Sequence, residues 1–200
     1  MEYRASSGQG RAVTAELSVL IVNYNTWRDC VAAVQSLRRN PPTRPDGSVM
    51  PFEVIVVDNA SPHRPEAEID GLRAALAEVA NDFGDPLCGQ LVLHGENGGY
   101  SKGVNLAFQR SRGRWILVSN PDLEFPNGCI PALQRHLEQH PEVGCVVPKG
   151  YWDHEYFGKL PPNTLPSLSD LLTTTLGDFL PSVRRWYGRR LARRWLAVWE

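Results

Sequence analysis

The sequence lacks most of the features that would place a chain outside the class of soluble globular proteins. No apolar stretch lies between Met1 and Glu16, so we expect no signal peptide there, and no apolar run reaches the length of a membrane span. The four cysteines form no CxxC pair and have no histidine cluster beside them, which argues against zinc and favours reduced thiols in a cytoplasmic protein. A net charge of -1 gives the whole chain no attraction for nucleic acid.

The charge is unevenly distributed, because residues 181–200 hold six arginines against one acid, Glu200. At helical spacing the apolar and aromatic residues of this stretch fall on one side: Tyr187, Leu191, Ala192, Trp195, Leu196, Val198 and Trp199. Arg189, Arg190, Arg193 and Arg194 fall on the other side. Segment 184–199 therefore suits a peripheral contact with the anionic inner face of the cell membrane. The alternative is a surface helix packed on the domain or on a partner region.

Short apolar runs alternate with helical segments over the first three quarters of the chain. Strands are predicted at 17–22, 53–57, 91–93, 115–118 and 143–147. Helices are predicted from Asn25 or Thr26 to 39, and over 62–81, 101–112 and 128–140, with a proline-rich loop at 40–51. The alternation predicts an α/β fold, a mainly parallel sheet with helices on both faces.

The alternation stops after Pro148. Prolines at 161, 162 and 166 break the chain, and a short helix is expected at 168–176. We therefore predict a flexible tail at 1–16, an α/β domain at 17–148 and a helical C-terminal extension at 149–200.

Polar residues follow the predicted strands at the edge where ligands of parallel sheets bind. Tyr24, Asp58 and Asp122 should therefore converge although they are far apart in sequence. A carboxylate after a buried strand is costly unless it is solvated or paired. One of the two acids could recognise a base or ribose and the other could bind a hard divalent cation through oxygen. The alternative is that both only cap the helices that follow them.

Four ordered motifs carry a resemblance to a known family: residues 19–25 (VLIVNYN), 54–61 (VIVVDNAS), 96–105 (ENGGYSKGVN) and 120–122 (NPD). Together they resemble the landmarks of family 2 inverting glycosyltransferases with the GT-A fold. The Asn-Pro-Asp version is similar to the rhamnosyltransferase-like branch, where it stands in place of the usual Asp-X-Asp. The resemblance covers about 17–148, which would then be the nucleotide-sugar-binding domain.

The resemblance implies a role for each motif. Asn23 and Tyr24 would line the pocket for the nucleotide base, and Asp58 would hydrogen-bond the base. Asn97, Gly98 and Lys102 would lie near the ribose and diphosphate. Asn120 would face the ribose or the sugar, and Asp122 would ligate Mg²⁺ or Mn²⁺.

This chemistry is consistent with the residue types. A metal stabilises the charge of a departing nucleoside diphosphate, and glycines before a helix let backbone N–H groups approach an anion. The alternatives are an ordinary turn at Gly98-Gly99 and a solvated surface residue at Lys102. Because Asn120 replaces an acid, it is a poorer metal ligand than the family's first aspartate.

The general base that an inverting transferase needs is not placed by any of these motifs. In the family it lies in a later, acceptor-side segment, which we expect beyond Glu200. Asp153 and Glu155 are acids in a plausible region, but no family motif marks them.

The sequence therefore predicts an enzyme of polysaccharide or cell-wall biosynthesis. It would move a sugar, with rhamnose as the candidate, from a dTDP- or UDP-sugar to a hydroxyl of a glycan or polyprenyl-linked acceptor with inversion. The alternative is a truncated, non-catalytic nucleotide-sugar-binding module that lacks the general base. A nucleotidyltransferase is a weaker option, because no Gly-rich basic loop follows the first strand.

Overall fold

The computed structural model describes residues 15–44, 46–85, 87–151, 170, 173 and 180–199. Strands and helices alternate along the chain as predicted. Their order is β1 (Leu17–Asn23), α1 (Trp27–Arg39), β2 (Phe52–Asp58), α2 (Glu66–Phe83), β3 (Gly89–Leu93), α3 (Tyr100–Phe108), β4 (Trp115–Ser119), α4 (Cys129–Gln139) and α5 (Pro181–Trp199). The chain divides into two compact units, Met1–Arg135 and His136–Glu200; the sheet belongs to the first unit and α5 to the second.

The four strands form one parallel sheet in the order β3-β2-β1-β4. Asn23 at the end of β1 lies opposite Asp58 at the end of β2, and Ile21 lies opposite Ser119 of β4. The predicted parallel sheet is therefore confirmed. Because the strands run in the same direction, the polar residues that follow β1, β2 and β4 meet at one edge, which we call the carboxyl edge.

Strands β1 and β2 occupy the centre of the sheet, and all seven residues of each are buried. On one face Val19, Ile21, Val54 and Val56 join a core that includes residues of α1 and α2. On the other face Leu20, Ile55 and Val57 cluster with Ala107 of α3. Burying such a side chain contributes about 1.5–3 kcal/mol. The prediction of helices on both faces is confirmed.

Two helix boundaries differ from the prediction. Helix α2 begins at Glu66 rather than at Pro62, because Pro65 is extended at the N-cap and Ser61 bonds to the carboxyl edge instead. Helix α3 ends at Phe108, several residues before the predicted end at Arg112. Arg112 lies beyond the helix, where its backbone N–H and its guanidinium bond to Glu53.

The predicted fifth strand at 143–147 is wrong, since these residues adopt no strand structure. Gly144 interrupts the apolar run and Val147 is 58% exposed, so the run does not bury the apolar face that a strand needs. The predicted helix at 168–176 and the tail at 1–16 lie largely outside the described residues, as do Asp153, Glu155 and Glu200.

A buried ion pair lies at the edge of the sheet where the strands begin. It joins Arg112 to Glu53 and Asp85, and we call it the amino-edge clip. Glu53 has no exposed surface. Its Oε1 accepts hydrogen bonds from Ser18 Oγ at 2.5 Å and the Arg112 backbone N–H at 2.6 Å, and its Oε2 accepts one from Arg112 Nε at 2.9 Å. Arg112 Nη1 also donates to Asp85 at 2.7 Å. Burial alone would lower the pKa of Arg112, but the hydrogen bonds to Asp85 and Glu53 outweigh it and raise that pKa, so the guanidinium stays charged.

The four cysteines are free thiols, as expected. Cys30 and Cys88 are buried, Cys129 is half-buried and Cys145 is exposed. Burial raises the pKa of Cys30 to about 12 and also raises the pKa values of Cys88 and Cys129. The first three cysteines are therefore small packing residues in this fold.

Candidate functional site

Asp58 lies at the centre of the carboxyl edge and has no exposed surface. Its Oδ1 accepts hydrogen bonds from Asn23 Nδ2 at 2.9 Å and from the Ser61 hydroxyl. Its Oδ2 accepts from the Ser61 backbone N–H at 3.3 Å and from Arg64 Nε at 2.8 Å. The predicted base-binding carboxylate is thus at the predicted edge, but protein donors already occupy both of its oxygens.

Arg64 is the ion-pair partner of Asp58 and was not singled out from the sequence. Its Nη2 lies 2.6 Å from Asp58 Oδ2 and donates to the backbone carbonyl of His94 at 2.8 Å. Because a buried carboxylate needs a counter-charge, the arginine six residues after Asp58 is the signal that sequence reasoning missed.

Asn23 links Asp58 to the start of helix α1. Its side chain is fully buried, and its Oδ1 accepts hydrogen bonds at 2.9 Å from both the backbone N–H and the hydroxyl of Thr26. Thr26 is the N-cap residue and its own side chain makes no capping bond, so Asn23 satisfies one backbone N–H at this helix end. Tyr24 follows with 48% of its surface exposed and is available for contact with a ligand.

Two residues after the central strands adopt left-handed backbone conformations. Asn25 has φ 60° and Ala60 has φ 55°. Asparagine tolerates this region, whereas alanine adopts it at a cost. The surrounding bonds hold both turns: Ser61 Oγ accepts from the Asn25 backbone N–H at 2.8 Å, and Asn25 Oδ1 accepts from the His63 backbone N–H at 3.2 Å. Backbone strain of this kind is typical of binding sites.

An asparagine pair fixes the loop at 94–99 to the end of β2. Asn59 is 5% exposed and donates from Nδ2 to Asn97 Oδ1 at 2.9 Å, while its own Oδ1 accepts from the Gly98 backbone N–H at 3.2 Å. Asn97 Oδ1 also accepts from the Gly99 backbone N–H at 3.0 Å. The predicted residues Asn97 and Gly98 are therefore brought to Asp58 by Asn59, a positioning residue that sequence reasoning missed.

Helix α3 begins directly after this loop. Gly99 is its N-cap at φ 82°, a backbone conformation that residues with a side chain rarely adopt, and no side chain among the described residues makes a capping hydrogen bond to the helix. A Cβ on Gly103 would lie 2.8 Å from Val22 Cγ1, so this glycine lets α3 approach β1 closely. The uncapped N–H groups suit an anion at this end of the helix.

Lys102 lies in the first turn of α3 and is about half-exposed. It forms an ion pair with Glu96, and this contact with Lys102 lowers the pKa of the Glu96 carboxyl. Since both side chains are exposed to solvent, this ion pair contributes little to stability. Lys102 therefore stands beside the uncapped end of α3, where the prediction expected it.

Asn120 and Asp122 follow β4 and are both exposed. The strand order places them on the other side of β1 from Asp58. Within the described part of the chain, no group of three or more His, Cys, Asp or Glu side chains is arranged to hold a metal ion. A single exposed carboxylate fits Mg²⁺ or Mn²⁺ only where substrate phosphates and water complete the coordination, as is usual for Mg²⁺.

Helix α5 confirms the predicted C-terminal helix. Along its described side chains Val183, Tyr187 and Leu191 are partly covered, whereas the arginines up to Arg193 are exposed. The Arg190 guanidinium lies 5.6 Å from the ring centre of Trp186. None of the described helices has the combined length and hydropathy to cross a bilayer.

Comparison with known proteins agrees with this architecture. The family model described as glycosyl transferase family 2 matches residues 18–193, and the chain belongs to this family. The parallel sheet with helices on both faces is accordingly a GT-A-like fold. No curated protein sequence matches the chain.

The similar solved structures are distant relatives. S. aureus TarS 1–349 has 19% sequence identity over 63% of this chain and 33% of that chain, with a TM-score of 0.45. Its complex with UDP has 18% identity, with the same coverage and TM-score. Mannosyltransferase PcManGT from Pyrobaculum calidifontis, solved with GDP-Man and Mn²⁺, has 21% identity over 61% and 32%, with a TM-score of 0.47. The chain thus spans about a third of the length of each of these structures.

Proposed function

We propose that this chain binds a nucleotide-diphosphate sugar at its carboxyl edge and serves as the donor-binding part of a glycosyltransferase. The observation that carries the proposal is the meeting of three features at that edge: the exposed Tyr24 with the Asp58–Arg64 pair, the 94–99 loop with the uncapped start of α3, and Asp122. These features suit a base, an anionic diphosphate and a metal ion respectively.

We assign the site residues to successive parts of the donor, from the base to the sugar. The exposed Tyr24 ring offers a stacking surface for the nucleotide base, and the buried Asn23 and Asp58 support the base pocket from beneath. Asn97, Gly98 and Lys102 lie along the ribose and diphosphate. Asn120 contacts the ribose or the sugar.

Asp122 is the residue that holds Mg²⁺ or Mn²⁺ together with the diphosphate oxygens. The metal, when bound, stabilises the negative charge that develops on the departing nucleoside diphosphate. Because Asp122 belongs to no group of three or more metal-binding side chains among the described residues, metal and nucleotide should bind together rather than separately.

Transfer proceeds, on this proposal, to a hydroxyl of a glycan or a polyprenyl-linked acceptor with inversion. The Asn-Pro-Asp motif favours rhamnose from a dTDP- or UDP-sugar. The general base is not Asp58, which is buried and saturated with hydrogen bonds. The alternative is a binding module that turns over no donor by itself.

Calorimetric titration of UDP and dTDP, each with and without Mn²⁺, tests the binding site. We expect binding that depends on Mn²⁺, and Asp122→Ala should weaken it roughly tenfold or more because the ion loses its protein ligand. Asp70→Ala, which removes an exposed carboxylate of α2, is the matched control and should bind as wild type does. Wild-type protein that binds neither nucleotide, or that binds them as tightly without Mn²⁺ as with it, contradicts the assignment.

A donor-turnover assay with a polyprenyl-linked acceptor separates the enzyme from the binding module. Release of the nucleoside diphosphate that requires the acceptor supports a transferase. Metal-dependent binding without turnover supports the module.

Helix α5 extends the proposal to the location of the protein. The exposed arginines Arg185, Arg189 and Arg193 suit a peripheral contact with the anionic cytoplasmic face of a membrane. Sedimentation with phosphatidylserine vesicles should carry wild-type protein down and leave the triple Arg→Gln variant in solution. Equal sedimentation with uncharged phosphatidylcholine vesicles would count against a charge-driven contact.

A further inference from the structure

The hydrogen-bonding capacity of Asp58 is used up inside the protein. A carboxylate offers about four acceptor positions. Asn23 Nδ2 and the Ser61 hydroxyl occupy Oδ1, while the Ser61 backbone N–H and two nitrogens of Arg64 occupy Oδ2. Since Asp58 also has no exposed surface, a nucleotide base has neither a free acceptor nor a path to one at this carboxylate.

Arg64 covers this carboxylate and reaches the surface. Its side chain is 36% exposed, and its Nε and Nη2 are fixed by Asp58 and by the His94 carbonyl. Within the part of the chain that the structure describes, no hydrogen bond engages its Nη1. A guanidinium carries five N–H donors and no acceptor, so what remains on Arg64 is a preoriented donor.

The charge of the pair indicates which part of the donor sugar nucleotide this group binds. Arg64 and Asp58 together are close to neutral, so the pair attracts a diphosphate anion less than a free arginine would. The uncapped start of α3 and Lys102 already suit the diphosphate. A neutral carbonyl oxygen is the better match for a guanidinium that is already paired.

We propose that Arg64 determines base specificity by donating a hydrogen bond from its guanidinium to a carbonyl oxygen of the base, with Asp58 as its positioning residue. The inference rests on the proposed function, because it assigns a contact within that nucleotide site. Uracil, thymine and guanine present such an oxygen, whereas adenine presents an amino group at the corresponding edge. The site should therefore select UDP, dTDP or GDP over ADP.

The experiment is a titration of UDP, GDP, ADP and inorganic pyrophosphate in Mn²⁺ against wild type and Arg64→Lys. Lysine keeps the positive charge that the buried Asp58 needs, so the fold is maintained. It lacks the planar guanidinium and therefore the N–H group that would reach the base. A lost hydrogen bond from a charged donor corresponds to about tenfold to hundredfold in affinity. We expect that loss for the preferred carbonyl-bearing nucleotide, with the affinities for ADP and pyrophosphate unchanged.

Asp58→Asn tests the positioning role and covers the case in which Arg64→Lys fails to fold. Asparagine keeps the shape of the side chain but holds Arg64 less firmly, so the ratio of UDP to ADP affinity should fall while pyrophosphate affinity stays constant. In the double variant the two losses should not add, because both act on one contact. Arg73→Lys, at an exposed ion pair of α2, is the matched control and should keep the wild-type ratio.

The outcomes separate the two proposals. Wild-type protein that binds no nucleoside diphosphate overturns the proposed function itself. Wild-type protein that binds ADP as tightly as UDP and GDP overturns the role of Arg64 alone. The same holds if Arg64→Lys keeps the wild-type ratio, or if it loses pyrophosphate and UDP in parallel, as a diphosphate contact would.

Discussion

Replacing Arg112 with methionine should destabilise the protein strongly, although Arg112 is far from the carboxyl edge. The substitution keeps a long side chain but removes the guanidinium that pairs with Glu53 at 2.9 Å and Asp85 at 2.7 Å. Glu53 has no exposed surface, so water cannot replace the lost partner. Breaking a buried ion pair from one side costs about 3–5 kcal/mol.

The structure places the expected loss near the lower end of that range. In the variant Glu53 would still accept hydrogen bonds from Ser18 Oγ and from the backbone N–H of residue 112. A loss of about 3 kcal/mol is a large part of the roughly 5–15 kcal/mol that stabilises a typical domain. With a urea dependence of about 2 kcal/mol per molar, the unfolding midpoint should fall by about 1.5 M.

Urea unfolding followed by circular dichroism measures this shift. Arg38→Met is the matched control, since Arg38 also has two acidic partners, Glu78 and Asp82, but both are about half-exposed. Its cost should stay below about 1 kcal/mol. Adding Glu53→Gln to Arg112→Met should restore part of the loss, because it removes the unpaired buried charge. If Arg112→Met shifts the midpoint no more than Arg38→Met does, the amino-edge clip does not stabilise the fold as argued.

Two further predictions test packing and thiol chemistry. Gly89→Ala should destabilise the protein by about 1–3 kcal/mol, because a Cβ there would lie 1.9 Å from the Leu76 backbone oxygen. Gly71→Ala, in open space on α2, should instead raise the stability by up to about 1 kcal/mol. Urea unfolding midpoints that shift in the same direction for the two variants would contradict the geometry. A thiol reagent at pH 8 should label the exposed Cys145 in the folded protein and spare Cys30, whose pKa of about 12 leaves almost no thiolate; mass spectrometry identifies the sites, and equal labelling of the two would show that Cys30 is not protected.

The central strands could be predicted from the sequence because their apolar runs are long enough to be buried on both faces. The residues 17–22 and 53–57 were expected as strands and lie within β1 and β2. The run at 143–147 is also rich in valine but is not a strand, since local composition does not supply a neighbouring strand to pair with. Helix boundaries were harder to predict where a side chain hydrogen-bonds elsewhere in the fold. Ser61 bonds to Asp58 instead of capping α2, which begins at Glu66.

The meeting of strand ends at the carboxyl edge was also predictable, because parallel strands bring their last residues to one edge. The contacts that organise that edge were not. Asn59 and Asn97 are 38 residues apart, and nothing in either segment marks the amide pair they form. Arg64 lies only six residues from Asp58, but its bond to the His94 carbonyl spans 30 residues and fixes the guanidinium in a way that only the fold determines.

The strand order has a consequence for how the chain folds as it is synthesised. Asn23 and Asp58 bond across 35 residues, whereas Gly113 reaches Ser18 across 95, so β1 can pair with β2 well before β4 exists. At about 5–20 residues per second, synthesis separates the emergence of Asp58 from that of Asp122 by several seconds. During that interval the edge of β1 that later pairs with β4 lacks its neighbour, although every residue of β1 is buried in the completed sheet. This period is when a nascent chain with an open β1 edge should be most exposed to mispairing and most dependent on chaperones.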